Sequence, residues 1–412
     1  MRESSPSHFI GLDIGTSTVR CVIGMHEEET GKLSVIGHGS APNVGMRKGA
    51  IVHIDDVIES VVQAVTEAER LSGVQVHRAT VNINGSHVMG MNSKGVIAIS
   101  TANREITVED RLRVEEAATI VKLPPNREII QVFAKNYRLD GQDNIKDPVG
   151  MRGVRLEVDT HIVTAATPNM RSLDIVLDKA HVQAGHHTVS SLAAAEAVLN
   201  RQQKEAGTIL LDIGAGTTNL AVIEDGEVQH VAVIPIGGIH ITNDLAIGLK
   251  TDLDVAEAVK LQFASLGKAK KSVAKVHVGG KDHTFDNEEV QMITEARVED
   301  LLEYVDKELK KIQRSQKLPG GVVITGGTAK LPGLADFTKE KLQLAARLGK
   351  LQVVAGLVES VEDPSYFTAV GLMTLDMLLQ PLGDAGNQQI GSQSSAAVMG
   401  FLDGIMRRIK KS

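Results

Sequence analysis

The sequence predicts an α/β protein built twice over, with two lobes related by internal duplication and a small α+β insertion in each. Three observations carry that expectation. Phe9-Ile10-Gly11-Leu12-Asp13-Ile14-Gly15-Thr16-Ser17-Thr18 leads directly into Val19-Arg20-Cys21-Val22-Ile23, which reads as two strands joined by a tight Gly/Thr turn. About half the chain later, Ile209-Leu210-Leu211-Asp212-Ile213-Gly214-Ala215-Gly216-Thr217-Thr218-Asn219 and Leu220-Ala221-Val222-Ile223 repeat the device, and an Asp225-Gly226 turn follows before Val228-Gln229-His230-Val231. Each copy continues into an amphipathic helix pattern. The first uses Val57, Ile58, Val61, Val62, Val65 and Ala68, with Asp55 or Asp56 placed to cap it; the second uses Ile241, Leu245 and Leu249.

The element pattern divides the chain further. The first lobe is expected over 1–85, resuming at 164–199 and 358–380, and the second over 200–250, resuming at 320–357. The first insertion, 86–163, alternates short strand-like runs such as Gly95–Ile99 with a helix pattern around Glu109–Val121 and a Pro124-Pro125 break. The second, 251–319, carries a helix over Val255–Leu266, two short strands around Gly279-Gly280 and a longer helix over Glu288–Ile312. Residues 381–396 are rich in Gly, Gln, Ser and Asn without apolar period and read as a flexible linker to a final helix at 397–412.

Composition bounds the function. With 412 residues and 42% hydrophobic content the chain is long enough for several packed domains, and it is expected to be soluble and globular. A formal net charge of −7 argues against nucleic acid as a partner, since phosphate backbones recruit Lys/Arg surfaces. The single cysteine, Cys21, sits in an apolar run and reads as a small buried hydrophobe, which suits a reducing cytoplasm. No window approaches the roughly 18 apolar residues of a spanning helix, and no leader is expected, so any membrane is met from the side.

The paired turns have a chemistry. A strand-turn-strand with Gly, Thr and Ser at the bend points backbone N–H groups into a concavity that suits phosphate oxygens. Asp13 and Asp212 add hard oxygen ligands, and across a cleft they are placed to hold a hydrated Mg²⁺ that also touches the β- and γ-phosphates of ATP. A third Gly-rich element, Val322-Val323-Ile324-Thr325-Gly326-Gly327-Thr328, ends an apolar strand in paired glycines, as the close approach of an adenine and ribose requires.

These residues resemble the actin-like ATPase superfamily. Asp13 to Thr18, with Gly15, Thr16 and Ser17, looks like its first phosphate loop, Asp212 to Thr218, with Gly214, Gly216 and Thr217, its second, and Gly326, Gly327 and Thr328 its adenosine loop. The match sharpens to the FtsA family through Gly45-Met46-Arg47-Lys48-Gly49-Ala50-Ile51, Ile234-Pro235-Ile236-Gly237-Gly238, Ala256-Glu257-Ala258-Val259-Lys260, and Asp363-Pro364-Ser365-Tyr366 with Ala369-Val370-Gly371-Leu372. The resemblance runs through nearly the whole chain and implies an actin-like, ribonuclease-H-like fold. It implies that Glu257 and Lys260 contact ribose or adenine and that Gly237 and Gly238 border the nucleotide. It also implies a first insertion that meets neighbouring subunits of a filament and later division proteins. The second insertion would take the C-terminal tail of the tubulin-like protein FtsZ, with Arg297 and Glu303 as candidate contacts, a solvated charge pair being the alternative for either. One departure bears on catalysis. Where many relatives carry Glu or Gln before a Pro-x-Ala stretch to orient the attacking water, this chain reads Val189-Ser190-Ser191-Leu192-Ala193-Ala194. Ser190 is short and neutral and takes no proton near pH 7, so tight ATP binding with very slow hydrolysis is expected.

The last residues separate on a helical wheel. Val398, Phe401, Leu402, Ile405, Met406 and Ile409 share one face; Asp403, Arg407, Lys410 and Lys411 take the other, with Arg408 at the border. That is the pattern of an interfacial helix drawn to anionic lipid, and the resemblance implies that the surface it meets is the cytoplasmic side of the inner membrane at the division septum. Each basic side chain contributes ~1 kcal/mol near an anionic surface, so one tail holds loosely and many on a filament hold firmly. Two weaker signals are set aside: Val278-Gly279-Gly280-Lys281-Asp282 lacks the earlier Gly and following Ser/Thr of a P-loop, and His181, His186 and His187 do not share a metal-binding face. The competing readings are a small-molecule kinase of the same fold and a pilus-assembly ATPase like PilM.

Overall fold

The computed structural model describes residues 8–27, 33–100, 103–267, 272–352 and 355–379. Its two main sheets follow one plan. In the first, His8–Ile14, Thr18–His26 and Leu33–Pro42 form an antiparallel meander, and Arg78–Ile83 and Gln183–Val189 add in parallel beyond His8–Ile14. In the second, Thr208–Ile213, Thr218–Glu224 and Glu227–Ile234 repeat the meander, and Gly321–Thr325 and Ala346–Leu348 add in parallel. The central strands are continuous apolar runs because helices or the other lobe cover both faces: Leu12, Ile209, Leu210 and Leu211 are wholly buried.

The helix Ile54–Ser72 lays Val57, Val61, Ala64, Val65 and Ala68 on the first sheet. Neither Asp55 nor Asp56 caps it. The cap position is His53, and both carboxylates lie in the first turn, where they face the positive end of the helix dipole instead. Between the lobes the helices Ser190–Val198 and Phe367–Leu379 cross inside a shared apolar core that takes Phe9 and Val22 from one sheet and Leu210 and Val323 from the other. Backbones touch at the crossing: a Cβ on Gly371 would sit 1.7 Å from the Ala193 carbonyl oxygen.

The chain leaves the first lobe to build an antiparallel sheet of Met89–Ala98, Arg155–Ala166, Arg127–Leu139 and Gln142–Ile145 in that order. Its helix, Val108–Thr119, starts at a reciprocal Thr107–Asp110 capping box. The base of this sheet is wedged between the lobes. Phe133, Val163 and Ala165 share one core with Ala221 and Val231 of the second lobe, and the Val231 amide donates to His161 Nε2 at 3.0 Å. The other ring nitrogen of His161 pairs with Asn92 Oδ1 at 2.9 Å, so the imidazole is held neutral; burial first, and then neighbouring His230, lowers its pKa to about 3. On the first-lobe side Gln131 Nε2 donates to Thr188 Oγ1 at 3.1 Å.

In the second lobe the helix Leu253–Phe263, the hairpin Val273–Val278 with Lys281–Asp286, and the 25-residue helix Asn287–Lys311 share one continuous core with the main sheet. Gly279-Gly280 is the turn of that hairpin. The shorter helix stops at Phe263 rather than Leu266 because Ala264 turns extended and the Leu266 amide pairs with the Pro332 carbonyl at 2.9 Å. No helix among the described residues is long and apolar enough to cross a membrane. The linker and basic helix expected at 381–396 and 397–412 lie outside the described residues.

Candidate functional site

A cavity of about 630 Å³ opens between the lobes, within the roughly 300–1,000 Å³ usual for small-molecule sites. Asp13, Gly15, Thr16, Ser17 and Thr18 line it from one hairpin, Asp212, Gly214 and Thr217 from its duplicate, and Ser190, Gly238, Glu257, Lys260, Gly326, Gly327 and Thr328 complete the wall. The two turns close alike: the Gly15 amide donates to the Thr18 carbonyl at 3.1 Å, and the Gly214 amide to the Thr217 carbonyl at 2.9 Å. Three expected residues do not line the cavity. Thr218 is buried with its hydroxyl donating to the Ile236 carbonyl at 2.8 Å, Gly216 packs against the Thr16 side chain, and Gly237 is the cap of the helix Gly238–Gly248, packed on the Gly214 and Ala215 carbonyls.

Both aspartates are buried, and burial is the main cause of their shifts: Asp13 is pushed up to about 7, against the opposing charge of Arg20, and Asp212 to about 6. Asp13 Oδ1 accepts from Asn82 Nδ2 at 2.7 Å, and the same amide reaches Ser190 Oγ at 3.1 Å, while Asn82 Oδ1 takes the Ile14 amide at 2.7 Å. Thr368 Oγ1 donates to Asp212 Oδ2 at 3.3 Å from the first turn of the inter-lobe helix. Two buried carboxylates close enough for one charge to act on the other are costly to ionise together, and a divalent cation removes that cost. Among the described residues no group of three or more His, Cys, Asp or Glu is placed to hold a metal ion, so further ligands would be waters and phosphate, as Mg²⁺ prefers.

Directly beside Asp212, Gly326 adopts φ 87°, and a Cβ there would meet Asp212 Oδ1 at 2.5 Å. This glycine lets the loop Gly326–Thr328 approach the second hairpin, to which Thr328 Oγ1 is tied through the Gly214 carbonyl at 3.0 Å. Lys260 Nζ donates to Glu257 Oε2 at 2.6 Å, Thr242 Oγ1 at 2.9 Å and the Gly238 carbonyl at 3.3 Å. Its ammonium is thus spent on fixing the Glu257 carboxylate at the cavity wall, where Leu253, Leu261 and Leu331 supply apolar surface.

Sequence reasoning missed Arg20, Asn82, Asn84, Asn219 and Thr368. Arg20 and Asn219 had a usable signal, since the duplicated hairpins place them directly across from Asp13 and Asp212. Asn82, Asn84 and Thr368 arrive from strands and helices remote in sequence, which no local pattern reveals. Away from the cavity, Arg297 is bidentate to Asp244 and reaches Asp300 at 3.3 Å, so it clamps two helices, whereas Glu303 is exposed and only 3.9 Å from Lys307.

Two family models match: "Cell division protein FtsA" over residues 209–371 and "SHS2 domain inserted in FTSA" over residues 85–164. Cell division protein FtsA of Pseudomonas aeruginosa is 34% identical over 391 residues, covering 94% of this chain and 93% of the relative. The chain belongs to the FtsA family. FtsA of Bacillus subtilis is 38% identical over 370 residues, 89% of this chain and 82% of that one. Among solved structures, a PilM–PilN type IV pilus biogenesis complex superposes with a TM-score of 0.64 at 16% identity, covering 90% of this chain and 99% of that chain. ADP-bound MreB5 of Spiroplasma citri superposes at 0.53 with 14% identity, covering 90% and 96%. The FtsA-family chain is therefore a bacterial cell-division protein of actin-like fold, which displaces the pilus-assembly and kinase readings.

Proposed function

We propose that this FtsA-family protein binds ATP with Mg²⁺ between its lobes, polymerises, and tethers FtsZ to the cytoplasmic face of the inner membrane, where it helps recruit later division proteins. The observation that carries the nucleotide part is the pair of buried aspartates, one from each duplicated hairpin, facing one cavity. Asp13 and Asp212 would hold the cation, which when bound neutralises charge on the β- and γ-phosphates. Arg20, across from Asp13, carries a guanidinium to the same wall, where it suits a phosphate oxygen. Glu257 would meet the ribose, held in place by Lys260, and Gly326 to Thr328 would lie along the adenosine.

Ser190 Oγ already receives the Asn82 amide, and a serine hydroxyl is no base near neutral pH. Single-turnover measurements are expected to give ATP hydrolysis well below ~1 per second, the lower end of kinase rates. A turnover at or above that value overturns the assignment of a weak catalytic position.

The tether is tested by pelleting with anionic vesicles in the presence of ATP. The intact chain is expected to pellet, while a chain ending at Gln380 and the substitution Ile405→Asp stay in solution with ATP affinity unchanged. Pelleting of the truncated chain, or parallel loss of ATP binding in Ile405→Asp, refutes the tail as a separate membrane device.

A further inference from the structure

The duplication that puts an aspartate in each hairpin also puts one side chain directly opposite each aspartate. In the first hairpin Asp13 pairs across the strands with Arg20; in the second Asp212 pairs with Asn219. Cross-strand partners share a face of the sheet, so both side chains look toward the cavity, and both line it. The two positions carry different chemistry. Arg20 is a cation suited to phosphate, and Asn219 is neutral.

Asn219 is 1% exposed. Its Nδ2 donates to Asp212 Oδ2 at a long 3.5 Å, and its buried Oδ1 finds no donor among the described residues. Turning the amide over would press two oxygens together at Asp212, so the unpaired atom is the carbonyl oxygen. A buried acceptor left without a donor is costly, and most such atoms in folded proteins are satisfied by protein, ligand or ordered water. Phosphate oxygens cannot satisfy it, because they bring no hydrogen. The Lys260 ammonium donates instead to Glu257, Thr242 and the Gly238 carbonyl. A water held by a divalent cation does bring one, with its O–H polarised toward an outer acceptor.

We infer that Asn219 supplies an outer oxygen to the cation subsite, accepting a hydrogen bond from a metal-bound water next to Asp212. The inference rests on the ATP and Mg²⁺ reading of the cavity.

The test is titration of the full chain with a fluorescent ATP analogue in excess Mg²⁺ and in EDTA, the ratio of the two affinities being the gain due to the cation. The gain, which is normalised to each variant's own affinity in EDTA, is expected to fall about tenfold or more in Asn219→Val, the worth of one charge-assisted hydrogen bond. Asn219→Asp keeps an oxygen and loses the amide donor, and its gain is expected to equal or exceed that of the parent chain. A full gain in Asn219→Val overturns the inference, and so does a loss in Asn219→Asp matching that in Asn219→Val, because the donor to Asp212 would then be the operative group. Should the valine variant fail to fold, the aspartate variant still decides between oxygen and donor. A parent chain with ATP affinity but no Mg²⁺ gain sinks the cation reading and this inference together; a parent gain that survives in full in Asn219→Val sinks the inference alone.

Discussion

Asp13→Asn is expected to stabilise the nucleotide-free protein at pH 8 while removing its Mg²⁺-dependent ATP binding. The carboxyl of Asp13 is raised from 3.8 to about 7 by burial, which outweighs the lowering charge of Arg20, and the charge of Asp212 adds to the rise. From about pH 4 to about pH 7 the folded chain therefore holds a proton that the unfolded chain has released. Stability from this group is full below the unfolded value, falls as pH rises through that window, and levels off above the folded value. The loss amounts to a few kcal/mol, about 4 at the upper end. Asparagine keeps an oxygen for the Asn82 amide and has nothing to ionise, so it escapes the loss. Other carboxylates titrate with the opposite sign; Glu308, for example, is held low first by its hydrogen bond from His230. The signal is thus the difference between parent and variant in melting temperature from pH 5 to pH 9. It should widen with pH up to about 7 and then stay constant. Parallel profiles, or an unchanged Mg²⁺ gain in ATP affinity, would falsify the assignment of Asp13 as a buried cation ligand. The residue trades stability for function, as strained sites commonly do.

Gly371→Ala should be among the most damaging single-methyl changes in the chain. The new Cβ would fall 1.7 Å from the Ala193 oxygen and 2.4 Å from its carbonyl carbon, and both are backbone atoms of a helix that cannot rotate aside. Overpacking usually costs about 1–3 kcal/mol where side chains can shift; here the helices themselves must part, so about 3 kcal/mol or more is expected. Parting them also moves the site, because one helix begins at Ser190 and the other carries Thr368 against Asp212. Urea denaturation should show the lowered midpoint, and ATP affinity should fall in whatever fraction still folds. A midpoint within about 1 kcal/mol of the parent would mean that the helices slide past each other freely.

Both effects turn on residues that differ in how legible they are from the sequence. Asp13 and Asp212 stand in local motifs that occur twice, and repetition is what makes a short Gly/Thr turn informative; the duplicated meanders of the two sheets follow from the same pattern. Gly371 carries no such mark, since its need for a bare Cα comes from Ala193, far away in sequence. Asn82 and Thr368 were hidden for the same reason: each reaches an aspartate only after sheets and helices have packed. Thr218 and Gly237 show the converse limit, because a motif does not say which of its residues face the ligand and which brace the turn from behind. Asp55 and Asp56 look like caps on paper, but the helix begins at Ile54, two residues earlier than a cap at Asp55 would require and three earlier than a cap at Asp56 would.

The sheet that the first lobe sends out between Met89 and Ala166 is also pinned to the second lobe, through His161 on the Val231 amide and through Phe133, Val163 and Ala165 against Ala221 and Val231. Such a module is no detachable cassette. Excising it and splicing its ends would strip a buried amide of its acceptor and turn apolar side chains of a lobe it does not belong to toward water. Transplanting it into a foreign scaffold would fail for the mirror reason, unless the strand Glu227–Ile234 travelled with it as a docking rail.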